Sequence, residues 1–289
     1  MESFSSREKL IFDNNKGQTL EISVLSPFFL DKAEGLDSME NDFYTTKNYN
    51  EDGASVIGSN IQPRNIVIEG RIRLDKEINR SKMIRFFNPK HTFTLKYTNG
   101  EIERFIKCKV EKSPVINKEV FPNFMISLLC HKPWWYEKEI KTDIALWIGS
   151  FEFPLEIPQG VGIELGYREP SLIVNVNNTS DNPAPLRLEL RALGTVKNPS
   201  IINVETREII LIEKEMIAGD VITVNTERGD EYVRLTRNGV ISNIFNYFSL
   251  ESSPHLSLDA GDNLLRYDAE TNVDNLEVSI YFTPQYVGV

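Results

Sequence analysis

Apolar and polar side chains alternate with a period of two along most of the chain, and this pattern limits the possible folds more than any other feature. Between residues 65 and 74 one face carries Ile66, Ile68, Ile72 and Leu74, and the other face carries charged side chains. The same alternation recurs at residues 92–98 and 186–191. Such alternation is typical of β-strands that cover a core on one face. The sequence therefore predicts an all-β protein.

One segment departs from the strand pattern and predicts a short helix over residues 75–87. Asp75 is expected to cap its first turn, and the dipeptide Asn88-Pro89 is expected to end it. Beyond this helix, Asn99-Gly100 predicts a type I′ hairpin turn, because glycine and asparagine adopt positive φ most easily. The first half of the chain is thus expected to contain strands, one helix and further strands.

The length of 289 residues favours two domains, because single cores rarely grow beyond roughly 250–300 residues. A boundary is predicted after residue 148, which gives domains at 1–148 and 149–289. The second half contains short strands separated by glycine-rich turns, a pattern typical of an antiparallel β-sandwich.

The composition argues against several functional classes. A formal net charge of −10 disfavours sequence-specific binding of nucleic acid and binding to anionic membranes, which need clustered basic residues. The sequence shows no arrangement typical of a catalytic triad, a phosphate-binding loop or a metal site. We therefore expect no enzymatic activity, no metal and no cofactor. The N-terminal residues show no secretory signal pattern, so synthesis in the cytoplasm is expected, with Cys108 and Cys130 as buried thiols rather than a disulfide.

Two segments stand out as candidate contact sites. Residues 30–60 are polar and show little periodicity, which predicts a long loop. The cluster Trp134-Trp135-Tyr136 offers large aromatic surfaces. Aromatic residues of this kind serve either as packing and interface anchors, which we favour, or as platforms that stack on sugar rings.

The order of several motifs resembles that of the distal tail proteins of bacteriophages, the siphophage tail component family, over essentially the whole chain. No single motif is specific, but their order and spacing are. They comprise Asp52-Gly53-Ala54-Ser55, Arg64 to Gly70, Leu128 to Trp135, Asn203 to Thr206, Ala218 to Ile222, Leu256 to Leu258 with Gly261 to Asn263, and Tyr286 to Val289.

This resemblance implies an N-terminal ring-forming β-barrel or sandwich domain with one helix and a C-terminal galectin-like antiparallel β-sandwich. It also implies a structural hub in the virion, at the tail tip or baseplate of a phage or phage-like particle. In such a hub six copies form a ring that joins the tail tube protein to the tail hub protein. In many phages the outer domain holds receptor-binding proteins, and DNA only passes through the lumen of the ring. An acidic chain suits that passage, so we expect a neutral or negative lumen.

The resemblance makes the polar segment of residues 30–60 a candidate inter-subunit arm. Its candidate contact residues are Asp42, Phe43, Tyr44, Asp52 and Gly53. Trp134, Trp135 and Tyr136 become candidate interface or packing aromatics. The alternative function is a carbohydrate-binding module for host adhesion. A glycoside hydrolase is a third hypothesis, which no pair of acids singles out.

Overall fold

The computed structural model describes residues 7–47, 49–50, 52–144, 147–149, 166–168 and 172–289. The chain divides into two compact units, which we describe separately. The first unit comprises residues 1–137 together with 285–289, and the second comprises residues 138–284. The units therefore divide at residue 137, whereas the sequence predicted a boundary at 148. The difference arises because β12 (Ile140–Ile144) pairs with β25 (Leu276–Phe282) of the second unit.

The first unit is built on a ten-stranded antiparallel sheet with one helix. Its central path runs β2-β1-β7-β8-β10-β6-β3, and β9, β11 and β26 pair at its margins. The bounds are β1 (Lys9–Asp13), β2 (Thr19–Ser23), β3 (Phe28–Glu34), β6 (Arg64–Ile72), β7 (Thr92–Thr98), β8 (Glu103–Val110), β9 (Val115–Ile116), β10 (Asn123–Cys130), β11 (Trp135–Tyr136) and β26 (Gln285–Tyr286).

The predicted alternation is present in β6, where every second side chain is buried. Ile66, Ile68 and Ile72 are fully buried in the core, as their spacing indicates. Leu74 was predicted to share this face and instead is exposed, because the strand ends at Ile72. Strand pairing thus confirms the period of two but not its predicted extent.

The single α-helix of the described residues, α1 (Lys76–Phe86), lies in sequence between β6 and β7 and buries Met83 and Phe86. Asp75 occupies the capping position, but its φ of 41° is left-handed and its side chain makes no capping hydrogen bond. The predicted place of the helix and the N-cap position of Asp75 are therefore confirmed, but the side chain of Asp75 does not cap the first turn.

The hairpin predicted at Asn99-Gly100 is present, but the turn type is not. Strands β7 and β8 pair up to Thr98 opposite Glu103, so the loop contains four residues rather than two. Gly100 has a φ of 93°, and the side-chain oxygen of Asn99 accepts hydrogen bonds from the backbone of Glu101 and Ile102. This Asx turn replaces the type I′ geometry, since the asparagine side chain bonds to the backbone two and three residues ahead.

Cys108 and Cys130 are both free thiols, buried in the core of the first unit. Strands β8 and β10 pair at Leu128 opposite Val110 and at Leu129 opposite Lys109. The next position of the same register places the two cysteines opposite each other. A hydrogen bond between the thiols, together with burial, raises the pKa of Cys108 far above its ordinary value.

The second unit is a β-sandwich of two antiparallel sheets on one shared core. One sheet has the order β12-β25-β16-β20-β21-β22, with β23 pairing at β16, and the other has the order β15-β24-β17-β18, with β19 at β17. The bounds not given above are β15 (Ile173–Asn178), β16 (Ala184–Ala192), β17 (Val196–Asn203), β18 (Ile209–Leu211), β19 (Glu215–Met216), β20 (Val221–Asn225), β21 (Tyr232–Arg237), β22 (Val240–Asn243), β23 (Ser257–Leu258) and β24 (Gly261–Thr271).

Two further pairs and two short helical turns complete the described elements. Strand β13 (Trp147–Gly149) pairs with β14 (Gly166–Arg168), and β4 (Asn41–Thr46) pairs with β5 (Ser55–Ile61). Two 3₁₀ turns span Phe245–Tyr247 and Val273–Asn275. The protein is therefore β-rich with one α-helix among the residues described, in agreement with the predicted fold class.

Candidate assembly surfaces

The predicted arm is a β-hairpin rather than an irregular loop. Asp42, Phe43 and Tyr44 lie in β4, which pairs with β5, and Asp52 and Gly53 lie in the connection between the two strands. All side chains of β4 are exposed, and in β5 only the glycine at position 58 is half-buried. The structure thus brings the five candidate residues into one two-stranded element that has no core of its own.

The hairpin carries apolar side chains in spite of this exposure. Ile61 pairs with Asn41 and Val56 pairs with Thr45, and both partners lie two residues from Phe43 in β4. Since directly paired residues share a face, Phe43, Val56 and Ile61 lie on the same face of the hairpin. The side chains of Phe43 and Val56 are each 61% exposed. An isolated two-stranded hairpin is only marginally stable in water, and exposed apolar surface of this kind commonly marks a contact site.

The aromatic cluster packs within the first unit. Trp135 is fully buried, and its indole N–H donates a hydrogen bond of 2.8 Å to the carbonyl of Leu36. Its strand β11 pairs with β26, which places Trp135 opposite Tyr286. Trp134 and Tyr136 are half-buried. Because both faces of the Trp135 indole are covered, this side chain offers no platform for a sugar ring in this fold.

A buried arginine joins three separate segments beside this cluster. The guanidinium of Arg64 donates to four carbonyls: to Pro133 at 2.7 Å, to Gly35 at 2.8 Å, to Leu36 at 2.6 Å, and to Val287. Burial lowers the pKa of the Arg64 guanidinium below its ordinary value. No carboxylate accepts a hydrogen bond from this guanidinium, although the nearby charge of Asp37 also favours its charged form. The carbonyl dipoles therefore provide its hydrogen-bond partners, and each of them contributes to stability.

Residues 285–289 are held in the first unit by further contacts. The guanidinium of Arg104 donates to the carbonyl of Gly288, and the backbone N–H of Val289 donates to Asp37 at 3.0 Å. Sequence reasoning missed both this attachment and the role of Arg64. The available signal was position: Arg64 precedes Ile66 and Ile68 by even spacing, so it falls on the buried face of β6.

The residues that the structure describes contain no group of three or more His, Cys, Asp or Glu side chains placed to hold a metal ion. Nor does any helix within them have the length and apolar character needed to cross a membrane.

Comparison with known proteins assigns both halves of the chain to phage tails. Residues 15–130 match the family model described as a phage tail protein RIFT-related domain, and residues 179–286 match the siphovirus-type tail component, C-terminal domain. The chain belongs to the siphophage distal tail protein family. It is accordingly a structural component of a phage tail, and the resemblance in the sequence is confirmed. No curated protein matches the chain at the level of sequence.

Solved structures of the family share the fold. The crystal structure of the Dit protein (gp 19.1) of phage SPP1, described as a paradigm of the hub adsorption apparatus in phages that infect Gram-positive bacteria, superposes with a TM-score of 0.70. The two chains are 11% identical, and the match covers 96% of this chain and 98% of the other. A chain of the phage p2 baseplate, in its activated conformation with Ca, gives a TM-score of 0.54 at 11% identity, with 98% and 99% covered. At such low identity these matches establish the fold alone.

Proposed function

We propose that this distal tail protein is a non-enzymatic connector that forms a hexameric ring at the tail tip or baseplate of a virion. In this proposal the first unit closes the ring, and the ring joins the tail tube protein to the tail hub protein. The exposed hairpin of β4 and β5 is the observation that carries the proposal, since a monomer gains no stability from it. The fold shared with the hub protein of phage SPP1 supports the same conclusion.

Ring closure has a clear physical advantage for this fold. A sheet with free edges presents unpaired backbone groups that invite aggregation, and a closed ring covers such edges with identical neighbours. A contact between two different surfaces of the same chain repeats around the ring until it closes. The hairpin, with Phe43 and Asp42 exposed, supplies one of these surfaces.

We also propose that the β-sandwich of the second unit is the part that holds receptor-binding proteins, where the particle has them. The alternative, a carbohydrate-binding module, loses one of its candidate platforms because Trp135 is buried. An array of host cell-wall glycans separates these functions. Specific glycan binding that disappears on Trp134→Ala, with the protein still folded, supports the alternative.

Electron microscopy of the purified full chain tests the ring directly. We expect particles with six-fold symmetry and a central hole, and a mass near six times 33.1 kDa by light scattering. The acidic composition further predicts that the surface of the lumen is neutral or negatively charged. A structure of the assembled ring tests this prediction. A chain that stays monomeric, alone and in mixtures with tail tube and hub proteins, would refute the proposal.

A further inference from the structure

The helix α1 has one face that the core of the first unit leaves uncovered. Its inner face buries Met83 and Phe86. The outer face carries Ile78, Lys82 and Arg85, whose spacing of four and three residues aligns them along the helix. Ile78 is 71% exposed, although isoleucine is among the side chains most often buried in proteins. This outer face therefore combines apolar surface with positive charge.

The charged side chains of the outer face have no paired partner among the residues that the structure describes. The side chains of Lys82 and Arg85 form no ion pair or hydrogen bond with another side chain in the part of the chain that the structure describes. Basic residues also dominate the helix as a whole, where Lys76, Arg80, Lys82 and Arg85 stand against Glu77 alone. Like charges on one face of a helix repel one another weakly, and a partner of opposite charge that covers the face removes this repulsion.

The hairpin of β4 and β5 has the complementary properties. One of its faces carries Phe43, Val56 and Ile61 in exposed positions. Its charge is of the opposite sign, since residues 40–62 contain the acids Glu40, Asp42, Glu51 and Asp52 against the single base Lys47. An acidic, apolar hairpin and a basic, apolar helix face thus occur on the same unit of the same chain.

We propose that the hairpin of one copy lies on the outer face of α1 of the next copy. Complementary charge favours this partner, and contact between Phe43 and Ile78 forms the apolar core of the interface. The two surfaces differ, so the contact is head-to-tail and repeats from copy to copy. This inference rests on the proposed ring and identifies the surface that receives the arm.

Reversal of charge in the full-length chain tests the interface. The hairpin variant carries Asp42→Lys and Asp52→Lys, and the helix variant carries Lys82→Glu and Arg85→Glu. In each variant alone, hairpin and helix have the same sign of charge, which is expected to weaken self-assembly at least about a hundredfold. Size-exclusion chromatography with light scattering measures the mass, and circular dichroism verifies that each variant is folded.

An equimolar mixture of the two variants provides the decisive measurement. The hairpin of each variant then meets a helix of opposite charge on the other, so alternating rings of wild-type mass are expected to return. A control variant carries Lys107→Glu and Lys109→Glu on the exposed side of β8. Its net charge changes by the same amount as that of the helix variant. This control is expected to assemble like the wild type.

The possible failures are distinguishable. A wild-type chain that never assembles overturns the proposed ring, and this interface with it. Wild-type rings that persist in the helix variant overturn the interface alone, as does a mixture of folded variants that stays dissociated. If the helix variant assembles normally but loses binding of a tail tube or hub protein, the outer face of α1 serves that other partner and the inference is wrong.

Discussion

Replacement of Arg64 by methionine is expected to destabilise the first unit severely. The substitution removes the only cation of a buried cluster and with it the donors to four carbonyls. Leu36 keeps the indole of Trp135 as a donor, whereas the carbonyls of Gly35 and Pro133 lose this guanidinium. A buried polar group without a partner costs about 1–3 kcal/mol. Since the burial of the guanidinium is itself unfavourable, we expect a net loss of about 3–5 kcal/mol.

Hydrogen-exchange mass spectrometry over a urea series measures the free energy of unfolding of each unit separately. Peptides from β6 and β10 should report the loss, while peptides from the second unit should keep wild-type values. Arg64→Lys keeps the charge but lacks the planar fork of donors, so an intermediate loss is expected.

Arg71→Met on the same strand is the matched control. Arg71 pairs with Asp31 at the surface, where an ion pair contributes at most about 1 kcal/mol. If Arg64→Met lowers the free energy of unfolding of the first unit no more than Arg71→Met does, the carbonyl cluster does not stabilise the unit and the reasoning fails.

Three other predictions concern separate parts of the chain. Gly70→Ala places a Cβ atom 2.1 Å from the carbonyl oxygen of Phe29 and is expected to cost about 2–4 kcal/mol, measured by thermal melting. Hydrogen bonds from Arg237 hold the pKa of Asp220 below its ordinary value, so the second unit should lose stability as the pH falls below about 4. Cys108 and Cys130 should both resist a thiol reagent such as dithiobis-nitrobenzoate until denaturant is added, because both are buried.

Each of these has a result that contradicts it. A Gly70→Ala protein with wild-type melting temperature would show that β3 and β10 move apart freely at this point. Asp220→Asn should be less stable than the wild type by roughly 1–3 kcal/mol at pH 7, with a difference that shrinks in acid. A difference that does not change with pH would exclude the carboxylate as its source. Rapid labelling of either cysteine in the native protein would show that the core opens there.

Local pattern predicted the strands and the helix, because alternation and turn residues act over a few positions. The Asn-Gly pairs show the limit of such reasoning. Asn238 and Gly239 both have positive φ and form a two-residue turn between β21 and β22, whereas Asn99-Gly100 opens a four-residue loop. The same dipeptide gives different turns because strand register, which depends on packing across the sheet, fixes the loop length.

Contacts between distant segments could not be predicted from the sequence. Nothing in the residues themselves joins Arg64 to Val287, or Trp135 to Tyr286, because these pairs meet only once the sheet has formed. The candidate arm was found from its polarity and length, but its paired strands were not. Its alternation is weak, since neither face of the hairpin is buried within the chain.

The attachment of residues 285–289 to the first unit has a consequence for biosynthesis. A ribosome makes residues 1–137 early but delivers the strand Gln285–Tyr286 and the carbonyl of Val287 only after the whole β-sandwich has been translated. A nascent chain interrupted before this point leaves Arg64 without one of its acceptors and leaves β11 without its pairing to β26. Only chains that extend through these residues therefore complete the unit to which we assign ring formation.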